Sequence, residues 1–202
     1  MAGVHPLQNR VDPFGSLHAV AARGALMGNR GGRFHDDARR LGRRRFASRR
    51  WIACECGFRG RRRDVWGAGY TALFFLDETT ALAAGHRPCF ECRRGDAARF
   101  AQAFGEDRPA TADEMDRRLD AERRMGRDKR KHPILINDLP DAAMIAQGAD
   151  AFAVWGDLLL PWSFEGYGTP LPRPRGGTAE ALTPPSILRA LTRGYQPRWT
   201  PG

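Results

Sequence analysis

The sequence predicts an α+β fold: a small cysteine-organised module of short strands and helices, linked by a polar helix to a small α+β C-terminal part. Three observations carry that expectation. The four cysteines of the 202-residue chain fall into two tight pairs, Cys54/Cys56 and Cys89/Cys92. A strongly polar helical stretch opens at Thr111. Beyond it, the short apolar runs "PILIND", "DAFAVW" and "LLLPWS" read as strands. The expected divisions are a basic Gly/Arg-rich segment (1–50), the cysteine module (51–105), the polar linking helix (106–132) and the α+β C-terminal region (133–202). The length suffices for one sizeable domain or two small ones, and no internal repeat is visible.

Taken in order, "MGNRGGRFHDDARRLGRRRF" reads as a loop around Gly28, Gly31 and Gly32, followed by a short basic helix from Asp36 to Arg44. "RRWIAC" (Arg49 to Cys54) suits a strand, and "GYTALFFLDE" (Gly69 to Glu78) a buried one. Asp77 can cap a helix from Glu78 to Ala84 that Gly85 closes. A second helix from Asp96 to Phe104 places Ala97, Phe100, Ala101 and Phe104 on one face. In "TADEMDRRLDAERRMGRDKRK", Thr111 and Glu114 form a capping-box pattern. The apolar stripe there is thin (Met115, Leu119, Met125), which predicts a surface helix. Gly156-Asp157 is a turn between two strands, and Trp155, Trp162, Phe164 and Tyr167 are expected in the C-terminal core. "TPPSILRALTRG" opens with Thr183 as N-cap and Pro184 at the first helical position, turns Ile187, Leu188 and Leu191 inward, and closes at Gly194.

The net charge is +10, and it is uneven: up to Arg63 there are 15 arginines against 4 acids. Codon bias can explain arginine in place of lysine, but not its concentration in one third of the chain. The asymmetry points to a polyanionic partner, most simply nucleic acid. Arg43, Arg44, Arg45, Arg49, Arg50, Arg61, Arg62 and Arg63 are the candidate phosphate contacts. "GNRGGR" could also cradle a phosphate, with Arg30 and Arg33 alongside. Trp51, Trp66 and Tyr70 could stack bases or pack a core. His35, Asp36 and Asp37 suit a helix start better than a catalytic cluster, and no Ser–His–Asp or paired-carboxylate arrangement is visible. The N-terminal residues lack a basic stretch followed by an apolar run, and no apolar stretch approaches the about 18 residues needed to span a bilayer, so a cytoplasmic location is expected.

The cysteines form C-x-C and C-x-x-C pairs 32 residues apart. Two close pairs on turns can supply a tetrahedral Zn²⁺ site with Cys54, Cys56, Cys89 and Cys92 as thiolate ligands. Gly57 and Pro88 help the backbone to turn there, and Arg87, Arg93 and Arg94 would offset the anionic charge. Disulfides are not expected without an export signal. A redox C-x-x-C would not need Cys54 and Cys56. His86 is expected to cap or pack.

"FFLDETTALAAGHRPCFECRR" resembles the metal-binding domain of the bacterial Ada DNA-repair family. Phe74, Phe75, Ala81, Leu82, Ala83, Ala84, Gly85, Arg87, Pro88, Cys89 and Cys92 stand where that pattern wants them. The resemblance spans at most Trp51 to Arg94, roughly a fifth of the chain. The family's first pair is usually C-x-x-x-C rather than C-x-C, and nothing after Arg94 resembles its later regions. The resemblance implies a Cys₄ zinc centre whose first cysteine, Cys54 by order, accepts a methyl group from a DNA phosphotriester. Zinc keeps such a cysteine as thiolate. A closed site that only staples the fold is the other reading, and a zinc-stabilised protein-interaction module is a third.

Overall fold

The structure, a computed structural model, describes residues 5–60 and 64–199. Its class is the expected α+β. A first sheet contains β1 (Arg10–Val11), β2 (Leu17–His18), β3 (Leu26–Arg30), β4 (Trp51–Glu55), β5 (Leu73–Phe75) and β6 (Arg87–Pro88), in the order β2-β1-β5-β3-β4-β6. Helix α1 (Glu78–Ala83) lies between β5 and β6, and α2 (Arg94–Phe104) and α3 (Ala112–Arg123) follow the sheet. A hairpin, β7 (Arg124–Met125) and β8 (Asp128–Lys129), leads to the second sheet. That sheet is built from β9 (His132–Leu135), β10 (Met144–Gln147), β11 (Asp150–Trp155), β12 (Leu158–Ser163), β13 (Gly166–Tyr167), β14 (Leu171–Pro172) and β15 (Thr178–Ala181). Helix α4 (Pro185–Thr192) follows.

The caps behave as local chemistry dictates. Asp77 accepts from the Thr80 amide at 2.8 Å and opens α1, and Gly85 follows the helix at φ 82°. Thr111 and Glu114 close their capping box on α3. Two local expectations are corrected. No helix forms between Asp36 and Arg44: the Asp36 carboxylate accepts the Arg40 amide at 2.8 Å, and Arg39 takes φ 56°, so the side chain closes a tight loop instead. Helix α4 is capped from Pro184 rather than Thr183, whose hydroxyl accepts the Met144 amide from β10. "GNR" belongs to β3, because Gly28 has no side chain to hinder its close packing between Ile52 and Phe75.

Strand alternation divides the first sheet. One face carries Leu26, Ala53, Leu73 and Phe75 into a core with Ala81 and Ala84; the other carries Met27 and Cys54 into a second core with Trp66, Ala72 and Cys89. Helix α1 is enclosed. Its Leu82 packs with Phe100, Met115, Leu119 and Ile187 from the other helices, and its Ala83 packs against Met144, Ala153 and Leu160 of the second sheet. Burying each of the larger side chains contributes about 1.5–3 kcal/mol. Trp155 turns out to be exposed, since Val154 and Leu159 take the inward positions next to it.

Helix α3 ends at Arg123, where the β7–β8 hairpin turns at Gly126 with φ 64°. Helix α3 lies at the surface as expected, with Asp113, Arg117, Arg118 and Ala121 exposed and Met115 and Leu119 inward, but it also buries Asp116 and Arg123. Asp116 takes a bidentate pair from Arg87, both bonds 2.8 Å. A second buried ionic group centres on Glu78, which accepts from Arg93 and from the Tyr195 hydroxyl, each at 2.5 Å, and from the Arg198 amide at 2.7 Å. Glu78→Ala would leave Arg93 enclosed without its principal counter-charge. The expected loss is about 3–5 kcal/mol of unfolding free energy, read from the urea midpoint. A loss under about 1 kcal/mol would contradict this account of the core.

Candidate metal centre

The parallel pairing of β4 and β6 builds the site. It sets Ala53 opposite Pro88, and the Cys89 amide donates to the Ala53 carbonyl at 3.0 Å. Cys89 is thereby brought beside Cys54. Three residues on, Cys92 returns to the same point just before α2. The Sγ atoms of Cys54, Cys89 and Cys92 all lie within 4.8 Å of one another. A tetrahedral zinc with Zn–S bonds of about 2.3 Å sets sulfurs about 3.8 Å apart, so the trio fits the donor set and spacing of such an ion.

Backbone donors favour anionic sulfur here. The Glu91 amide donates to Cys89 Sγ and the Glu55 amide to Cys92 Sγ, both at 3.4 Å. Hydrogen bonds from Cys54 and Cys92 hold Cys89 well below the ordinary thiol range. The bond to Cys89, the bond to Cys92 and burial push Cys54 far above it. The close approach of three sulfurs is an arrangement that a bound cation would stabilise.

The structure does not gather Cys56 with the other three. Strand β4 ends at Glu55, the alternation stops, and the exposed Cys56 Sγ lies 3.4 Å from the Ala25 carbonyl. All four cysteines are free thiols. His86 packs as expected: it is fully buried on the opposite face of the sheet, against Trp51 and Phe75.

The candidate arginines separate. Arg43, Arg44 and Arg45 are exposed and line the mouth of a cavity together with Arg124 and Arg127. Arg49 is tied to Asp113 at 2.6 Å, and Arg50 is exposed. Arg61, Arg62 and Arg63 lie outside the described residues. Trp66 stacks on His35 inside the core rather than facing outward. In "GNRGGR", Gly28 to Arg30 belong to β3 and the Gly31 amide is taken by the Asn29 side chain at 3.0 Å. Sequence reasoning passed over Arg123 and Lys129, which line the same cavity; their only signal was a polar helix running into a Gly-centred turn. No helix among the described residues is long and apolar enough to cross a membrane.

The geometry predicts that Cys54→Ala and Cys89→Ala each abolish stoichiometric metal binding, whereas Cys56→Ser retains it. Metal analysis of the purified variants checks both. Loss of the metal in Cys56→Ser would show that the loop after β4 folds back to complete a four-thiolate site.

Comparison with family models, curated proteins and solved structures found no match, and the functional reading rests on the geometry of the site.

Proposed function

We propose that this protein holds a zinc ion in a thiolate centre that staples its first sheet to α2, and that it contacts nucleic acid, DNA in the first instance, through its arginine-rich surface. The observation that carries the reading is the convergence of Cys54, Cys89 and Cys92 from two separate segments. Thiolates select soft or borderline cations, zinc foremost among non-redox ones. The Ada-like pattern around Cys89 supports zinc and DNA together.

The charged surface supports the second half. Arg43, Arg44, Arg45 and Arg50 form no ion pair with a carboxylate among the described residues. Exposed guanidinium groups of this kind release counterions from a phosphate backbone and carry little sequence preference.

Bound zinc would keep its cysteines as thiolates at neutral pH. The chain's own geometry then favours a structural role over methyl acceptance. Cys54 is 3 % exposed, and an incoming phosphotriester would need an open line to its sulfur. Intact mass after incubation with methylphosphotriester DNA tests the point: no adduct is expected, and a single methyl on Cys54 would establish the repair reading.

Affinity for duplex DNA is expected to fall steeply with salt. Replacing Arg43, Arg44 and Arg45 by Gln should reduce the log–log salt slope by about 1 for each phosphate no longer neutralised. Fluorescence anisotropy across a salt series measures it. Affinity indifferent to salt would remove nucleic acid as the partner.

A further inference from the structure

On the face of the first sheet opposite Cys54 lies a cavity of about 750 Å³, floored by two buried arginines and a half-buried lysine. Arg30 ends β3 directly beside Trp51, its cross-strand partner. Arg123 ends α3. Both guanidinium groups lie over the Trp51 indole, 4.0 and 3.9 Å from the ring centre. Lys129 reaches in from β8 to the Ala83 carbonyl at the end of α1. Gly85 makes room for this convergence: a Cβ there would stand 2.7 Å from Arg123 Cβ.

These charges are poorly compensated. Arg30 donates to the Gly15 carbonyl at 2.8 Å, to the Arg45 carbonyl and to His86 Nε2, and it pairs with no carboxylate among the described residues. Lys129 likewise has no carboxylate partner among them. Arg123 bonds the Gly85 and Arg49 carbonyls and Asp120, while its buried Nε has no hydrogen-bond partner. Arg30 and Arg123 are each 2 % exposed. Burial lowers all three groups, with repulsion from Arg123 adding at Arg30 and repulsion from Arg30 and Arg123 adding at Lys129. Arg30 comes down to about 9, Arg123 to about 10 and Lys129 to about 7. Enclosing like charges this way disfavours the fold unless an anion joins them.

The rim adds Arg43, Arg44, Arg45, Arg124 and Arg127 against one acid, Asp128. A flat basic surface suits a string of single negative charges. Several cations converging in a cavity suit a compact, multiply charged one. The remaining volume exceeds what phosphate alone needs and is bounded by Phe14 and Phe46, which leaves room for the body of a phosphorylated molecule.

We propose that this cavity is a phosphate-binding site, in which Arg30, Arg123 and Lys129 receive a phosphate dianion, either free or as the monoester end of a larger molecule. The site lies on the other face of the sheet from the thiolate centre. It shares its rim, but not its floor, with the surface assigned above to nucleic acid, so it stands or falls separately from that reading.

The test is calorimetric titration of the full chain with inorganic phosphate at constant ionic strength in chloride. One saturable site per chain is expected, with a thermal upshift that chloride does not reproduce. Lys129→Met and Arg30→Gln should each weaken phosphate at least tenfold. Lys129→Met should also raise the melting temperature in phosphate-free buffer, since it removes a repelled charge; a Lys129 that merely caps α1 would lower it. Lys129→Met, on a surface hairpin, keeps the test open where Arg30→Gln does not fold. Competition by a 5′-phosphorylated oligonucleotide, but not by its 5′-hydroxyl counterpart, would identify a nucleic-acid end as the source. Equal inactivity of both oligonucleotides beside a binding phosphate would identify a small phosphorylated ligand. Absence of saturable phosphate binding, or unchanged affinity in a folded Lys129→Met variant, would overturn the proposal.

Discussion

The structure depends on the enclosure of α1. This six-residue helix is buried along its whole length, with the first sheet on one side, the second sheet on another and the remaining helices on a third. A helix so short has little stability of its own, so the surrounding layers must supply it. The alanines at positions 81, 83 and 84 let those layers approach closely. The polar residues at its start must find partners inside, and several do. Asp77 accepts the Tyr167 hydroxyl at 2.7 Å, the Thr80 hydroxyl accepts the Trp162 indole at 3.0 Å, and Glu78 collects Arg93, Tyr195 and the Arg198 amide. The longest of these bonds reach across some 80 to 120 residues of chain, which makes the small helix the point where distant parts of the fold are registered against one another.

Both candidate sites follow from that arrangement. The chain leaving α1 forms β6, and the parallel pairing of β6 with β4 carries Cys89 to Cys54. The carbonyls that α1 and its closing glycine leave at their end receive Lys129 and Arg123, as suits cations near a helix C-terminus. Residues along β4 alternate in direction, so Trp51 and Cys54 address opposite faces of the same sheet. The cysteine cluster and the cationic cavity are therefore kept apart by a layer of backbone.

Much of this was legible in local signals. The caps at Asp77 and Thr111 and the strand character of "RRWIAC" and "GYTALFFLDE" were all readable, because each rests on side chains acting within a few residues. The pairing of Cys89 with Cys92 was readable for the same reason. Where a local signal pointed two ways, tertiary packing chose. Asp36 could start a helix or close a loop, and it closes a loop. Thr183 could cap α4, but its hydroxyl serves β10 instead. The polarity of α3 implied an exposed helix; the ion pair of Asp116 with Arg87 and the packing of Arg123 on Trp51 removed part of that polarity from water.

The sequence by itself determined the α+β class, the starts of α1 and α3 and the existence of a cysteine cluster, since composition, spacing and capping chemistry are properties of short segments. Only the tertiary structure decided that three of the four cysteines meet and that Cys56 stands aside, because the strand carrying Cys54 stops one residue before it. Only the tertiary structure placed Arg30, Arg123 and Lys129 around one cavity. Those three residues are up to 99 positions apart, and nothing short of the closed fold brings their charges together.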